Sequence, residues 1–187
     1  MSTAILTPSR ATFDDLMRTE GKAELIGGRI VRFMPSGHRP STLAFRIARR
    51  LADYADAHGG VAYADGIGFT VPELPSGRES FSPDASYYTG PRPPNPMRFI
   101  EGPPDFAVEV RSENDYGPAA EREMAAKRAD YFLASTKVVW DVDPEANEVR
   151  IYRADAPDQP IVFVPGQDAD AEPAVPGWRI SVSWLMG

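Results

Sequence analysis

A mixed α/β domain, with a curved sheet flanked by helices, is the fold class this sequence predicts. Three observations carry that reading. Asp105 to Arg111 alternates with the period of a strand: Phe106, Val108 and Val110 fall on one side, and Asp105, Ala107, Glu109 and Arg111 on the other. Pro118 then opens a run in which Ala120, Met124, Lys127 and Tyr131 recur at helical spacings, forming the stripe that should face the sheet. Residues 137 to 142, KVVWDV, are nearly all apolar, which suits a strand buried on both faces. Strand, helix and buried strand in succession belong to a layered α/β arrangement.

The other elements follow in order. Residues 1–11 read as a flexible N-terminal tail, and residues 12–187 as one domain. Thr12 can cap a short helix, with Asp15 in its acidic first turn and Phe13, Leu16 and Met17 as its apolar edge. AELIGGRIVRF reads as a hairpin turned at Gly27-Gly28, with Glu24 on its first strand. A surface strand residue would look the same as Glu24 at this level. MPSGHRPS reads as a loop, and His38 lies in it. Leu43, Ile47, Leu51 and Tyr54 predict a helix from Ser41 to His58. Arg39, Arg46, Arg49 and Arg50 make this the one distinctly basic region, either a solvated face or a surface for phosphates.

Strand-like material from Val61 to Thr70 leads into a turn region at Pro72 to Glu79. Its glycines lack the Lys-Ser/Thr pair of a phosphate-binding loop. Ser82 to Thr89 alternates as a strand, placing Asp84, Ser86 and Tyr88 on one side. Gly90 to Pro104 is proline-rich and reads as a loop. Beyond the helix and the 137–142 strand, a turn at Asp143 to Asn147 leads to a hairpin partner from Glu148 to Arg153. Ile161 to Val164 reads as a short strand, Gln167 to Pro176 as a loop, and Trp178 to Leu185 as an apolar closing segment.

The totals narrow the chemistry. Among 187 residues there is no cysteine and there are only two histidines, His38 and His58. Disulfides, thiolate metal sites and cysteine nucleophiles are excluded, and a histidine-built zinc site is disfavoured. A metal would be held mainly by carboxylates, favouring magnesium, manganese or calcium. MSTAILTPSR has no apolar stretch long enough for a signal peptide, and no run could span a membrane, so a cytoplasmic protein is expected. A net charge of −7 argues against broad, non-specific attraction to nucleic acid.

Asp84 and Glu109 fall on two strands that could be neighbours, and carboxylates converging from adjacent strands suit a hard divalent cation. The main-chain carbonyl of Val110 could add a ligand. Lys127, aimed inward from the helix, could stabilise developing negative charge. Two unrelated surface carboxylates and a snorkelling lysine would give the same pattern.

Pro83-Asp84 followed by Glu109-Val110-Arg111 resembles the PD-(D/E)XK nuclease signature, with arginine in place of its final lysine. The resemblance is closer to one bacterial group in that superfamily, the Uma-two family of restriction-endonuclease-like proteins. ELIGGRIV at 24–31, PDFAVEVRS at 104–112 and KRADYFLASTKVVWDVDP at 127–144 look like that family's hairpin, central strand and helix–strand motifs, in order. The resemblance implies a restriction-endonuclease-like core and Mg2+- or Mn2+-dependent hydrolysis of DNA. By implication Asp84 and Glu109 hold the metal, Lys127 takes the lysine's role, and Glu24 supports the metal or a second ion. Arg111 departs from the pattern; it stays charged, so it could clamp phosphate with His38 and Arg39, or pair with Glu109.

Nucleases of this fold often work as dimers, so the resemblance admits a homodimer. If the substrate is nucleic acid, the basic helix is expected beside the cleft. Two alternatives stand beside the nuclease reading. One is a nuclease-fold module of little or no activity that binds a protein or nucleic-acid partner, which the acidic charge and Arg111 would suit. The other is a metal-free carboxylate-pair hydrolase, in which an inward lysine has no place.

Overall fold

The computed structural model describes residues 10–187; residues 1–9, most of the expected tail, lie outside the described part. Arg10 and Ala11 are docked: Arg10 pairs with Glu73 at 2.7 Å and Glu79 at 2.9 Å, and the Ala11 N–H donates to the Gly28 carbonyl at 2.9 Å. Thr12 caps α1 (Phe13–Met17) in a reciprocal capping box with Asp15. Strands β1 (Ala23–Ile26) and β2 (Arg29–Arg32) form the expected hairpin. Gly27 and Gly28 turn it at φ of 58° and 67°, the positive pair that a two-residue turn of this kind requires.

Helix α2 (His38–His58) begins three residues before the expected Ser41. Its first turn accepts Pro40 because the missing N–H would have had no partner there. Next come β3 (Val61–Ala64), β4 (Phe69–Thr70) and β5 (Ser80–Phe81). The strand read from Ser82 is delayed to β6 (Ala85–Tyr88), after Pro83. Strand β7 (Ile100–Glu101) lies in the proline-rich segment read as loop, and it pairs with β4 in a small sheet ordered β5-β4-β7.

Strand β8 (Phe106–Val110), helix α3 (Pro118–Leu133) and strand β9 (Val138–Asp143) match the central reading, and every residue of β9 is buried. Strand β10 (Glu148–Arg153) is the hairpin partner, and β11 (Ala156–Phe163) is longer than the run read there. Strand β12 (Asp168–Asp170) falls where a loop was expected; it pairs with β13 (Arg179–Ser181), which with α4 (Val182–Met186) forms the apolar closing segment. Among the described residues, no helix is long and apolar enough to cross a membrane.

The main sheet is mixed, in the order β11-β10-β9-β8-β6-β3. Only β8 and β9 run parallel in it, as a strand–helix–strand crossover requires. The alternation of β8 decides what covers each face. Phe106, Val108 and Val110 pack with Leu43, Ile47 and Leu51 of α2 and with Trp140. Ala107 packs on the opposite face with Val139, Phe81 and Tyr131 of α3. The two helices therefore lie on opposite faces of the sheet. Glu109 shares the Ala107 face, towards α3, near the end of β8.

Candidate active site

Several segments bring charge to that end of the sheet. In β1, Glu24 and Leu25 point to opposite sides of the strand, and both are buried, Glu24 at 0% exposed. Glu24 Oε1 accepts the Ser82 N–H at 3.0 Å and pairs with Lys127 Nζ at 3.0 Å. Its other oxygen pairs with Arg78, whose Nε donates to Asp130 Oδ2 at 2.9 Å. On α3, Lys127 Nζ also lies 2.9 Å from Glu109 Oε1, and the same oxygen accepts the Tyr131 hydroxyl at 2.7 Å. Tyr131 is held by stacking on Phe81, with ring centroids 4.1 Å apart. The inward stripe of α3 thus delivers Lys127 and Tyr131 to the same carboxylate, one turn apart.

Asp84 lies just before β6, opposite the end of β8. Its Oδ2 accepts the Val110 N–H at 2.8 Å, and its Oδ1 is bound by Lys22. Lys22 Nζ also lies 2.9 Å from Asp65 Oδ1. A strand residue's N–H and C=O project towards the same neighbour, so the Val110 carbonyl points to the Asp84 side. Two alternating series of charges therefore meet at this end of the sheet. One is Asp65, Lys22 and Asp84; the other is Glu109, Lys127, Glu24, Arg78 and Asp130.

Burial and charge act against each other here. Burial pushes the Glu109 carboxyl upward; Lys127 and Lys22 oppose this, Asp84 and Glu24 reinforce it, and the result lies above the usual range. Burial also disfavours the charged form of Lys127, but Glu109 and Glu24 outweigh it and hold its pKa above the ordinary lysine value. Lys127 is thus a cation at neutral pH, suited to charge stabilisation rather than to proton abstraction. Burial and the Glu109 carboxylate raise the Tyr131 hydroxyl well above its usual pKa, so it remains a hydrogen-bond donor.

For Glu24, burial is outweighed by Lys127 and Arg78, and the carboxyl lies below its ordinary value. A depressed folded pKa means the stability Glu24 contributes is present above the unfolded value, about 4.3, and is lost as pH falls through the folded value. Glu24→Gln is expected to flatten that acid limb of the stability curve, measured by urea unfolding between neutral and acidic pH. An unchanged slope would mean that the Lys127 and Arg78 contacts contribute nothing at Glu24.

The donor set fits a hard divalent cation. Asp84, Glu109 and the Val110 carbonyl offer oxygen only, and among the described residues nothing donates a hydrogen bond to Glu109 Oε2. Five carboxylates face three cations in the two series, leaving two negative charges, the charge of one such ion. Among the described residues no group of three or more His, Cys, Asp or Glu is disposed to hold a metal. Coordination would then be completed by main chain and water, as magnesium commonly allows.

The structure thus brings Glu24, Asp84, Glu109 and Lys127 together, but not the expected cationic partners. Arg111 does not bond Glu109. Its guanidinium forks onto Asp141, at 2.7 Å and 2.8 Å, and also binds Glu121. The expected basic flank is not formed by α2 as a whole, because that helix covers the opposite face. Arg46 donates to the Leu185 carbonyl at 2.7 Å, and Arg46, Arg49 and Arg50 all lie within 6 Å of the Trp184 ring centre. His38 and Arg39 are exposed at the start of α2, where Arg39 donates to Asn147 at 2.7 Å.

Sequence reasoning missed Lys22, Asp65, Arg78 and Tyr131 as parts of the site. For Lys22 a signal existed, since it precedes Glu24 by two residues at the mouth of a strand and shares its side. For Arg78 none did, because it arrives from a turn region by tertiary packing.

The sequence matches the Uma2 family, described as "Putative restriction endonuclease", over residues 10–183. This chain belongs to the Uma2 family. Among solved structures, the fold is similar to that of "a putative nuclease belonging to DUF820" from Anabaena variabilis. The TM-score is 0.73 at 19% identity, covering 94% of this chain and 97% of that one. No curated protein matches this chain. The restriction-endonuclease-like expectation for the fold is thereby borne out.

Proposed function

We infer that this Uma2 chain is a divalent-ion-dependent endonuclease that hydrolyses DNA phosphodiester bonds in the cleft between β6, β8 and α3. The observation that carries this reading is the Lys127 ammonium, held between Glu24 and Glu109 near a third carboxylate, Asp84. Asp84, Glu109 and the Val110 carbonyl would hold Mg2+ or Mn2+. When bound, the ion supplies Lewis acidity and a more acidic water. The chain's own residues do the rest. Val110 N–H fixes Asp84, Tyr131 O–H fixes Glu109, and Arg78 with Ser82 N–H fixes Glu24. Lys127 places a permanent positive charge where negative charge grows on the phosphate during in-line attack. Exposed His38 and Arg39 are the candidates for further phosphate contacts, whereas Arg111 would first have to leave Asp141.

The test is single-turnover cleavage of a mixed pool of single- and double-stranded DNA in Mg2+ or Mn2+. Asp84→Asn is expected to abolish cleavage, and EDTA to do the same. Cleavage that survives both would overturn the reading.

A second reading is favoured by the net charge of −7 and by the absorption of Arg46, Arg49 and Arg50 onto Trp184. It is a nuclease-fold module that binds a partner without cleaving. Ion binding without cleavage of any DNA or RNA would support it.

A further inference from the structure

We propose that Lys22 competes with the divalent cation for Asp84, and that Asp65 takes up the Lys22 ammonium when the ion displaces it. The pair would set the protein's affinity for the ion. This rests on the reading of the cleft as a divalent-ion site, and it assigns a positioning role to two residues outside the ligand set.

The geometry makes Lys22 the mobile partner. Asp84 is tethered through Oδ2 to the Val110 N–H, so it cannot turn to follow or avoid a cation. Lys22 is a point charge on a flexible four-carbon stem with three donors. It touches both Asp84 and Asp65, and it lies at the edge of the cleft with its side chain 19% exposed. Asp65 is 50% exposed and, among the described residues, forms an ion pair only with Lys22. It can therefore take the whole ammonium without disturbing a second contact.

Lys127 has no such exit. Of its two carboxylates, Glu24 is fully buried and already holds Arg78, and Glu109 would itself hold the ion. An ammonium and a divalent ion on one carboxylate repel strongly at this range. Asp65, already paired with the same ammonium at 2.9 Å, gives Lys22 a place to go when the ion takes Asp84.

The experiment is calorimetric titration with Mn2+ alone, on the full chain, for the unsubstituted protein, Lys22→Met, Asp65→Asn and the double variant. Lys22→Met is expected to tighten Mn2+ binding about tenfold, and Asp65→Asn to weaken it by a comparable factor. In the double variant, Asp65→Asn should lose most of its effect, because no ammonium remains to be received. Thermal unfolding in EDTA should show Lys22→Met less stable than the parent, with the difference reduced by Mn2+.

Equal or weaker Mn2+ binding by Lys22→Met overturns the proposal. So does an Asp65→Asn cost that persists undiminished beside Lys22→Met, since Asp65 would then act as a distant charge. Asp65 is on the surface, so Asp65→Asn folds whatever Lys22→Met does, and an affinity it leaves unchanged also overturns the proposal. Failure of the unsubstituted protein to bind Mn2+ overturns the divalent-ion reading and this proposal together. Mn2+ binding with independent effects of the two substitutions overturns this proposal alone.

Discussion

Lys127→Met is expected to lower single-turnover cleavage by about a hundredfold or more, the usual cost of removing a group that stabilises transition-state charge. The ammonium reaches Glu109 Oε1 at 2.9 Å and Glu24 Oε1 at 3.0 Å with its side chain only 16% exposed. Methionine preserves the stem beside the Phe33 and Tyr131 rings and deletes the charge. The same deletion leaves Glu109 with the Tyr131 hydroxyl as its hydrogen-bond partner, so a loss of stability accompanies the loss of rate. Glu24 keeps Arg78 and the Ser82 N–H, which limits that loss to about 1–3 kcal/mol. Cleavage measured well below the unfolding transition separates the two effects. Lys127→Arg keeps the charge but changes its geometry, and should recover only part of the rate. Cleavage within a few-fold of the parent in Lys127→Met would remove Lys127 from the chemistry.

The sheet, both long helices and the inward lysine are legible because period alone determines them. Alternation in β8 assigns Phe106, Val108 and Val110 to one layer and Glu109 to the other. The spacing of Met124, Lys127 and Tyr131 does the same for α3. The ends of elements are less legible. Pro40 looks like a helix breaker but falls in the first turn of α2, and Pro83 delays β6 beyond Ser82. Two-residue strands such as β7 depend on partners distant in sequence, which no local pattern encodes. The same limit governs the site. Glu24 and Glu109 are legible on strands and Asp84 beside one, whereas Arg78 and Asp65 come from turns whose position is set by packing. The partner of Arg111 is hidden for a related reason. Spacing of two placed it on the Glu109 side of β8, but β9 runs parallel alongside, pairing Glu109 with Asp141 and offering Arg111 a nearer carboxylate.

Arg111→Leu is consequently expected to be a stability lesion rather than a catalytic one, at about 3–5 kcal/mol. The Arg111 side chain is 2% exposed, and that of Asp141 3%. Their two parallel bonds form the planar fork that only arginine can make. The guanidinium also binds Glu121 and lies 5.8 Å from the centre of the Tyr116 ring. Leucine fills the volume but strands Asp141, which among the described residues retains only Arg128 at 3.4 Å. Because the cost is that of an orphaned buried charge, replacing both partners by leucine should recover much of it. Urea unfolding of the two single variants and the double one measures this coupling. Mn2+ affinity should be nearly unchanged in folded Arg111→Leu, since Arg111 does not bond Glu109 or Asp84. A loss below about 1 kcal/mol, together with cleavage abolished per folded molecule, would place the essential cation on β8 instead of α3.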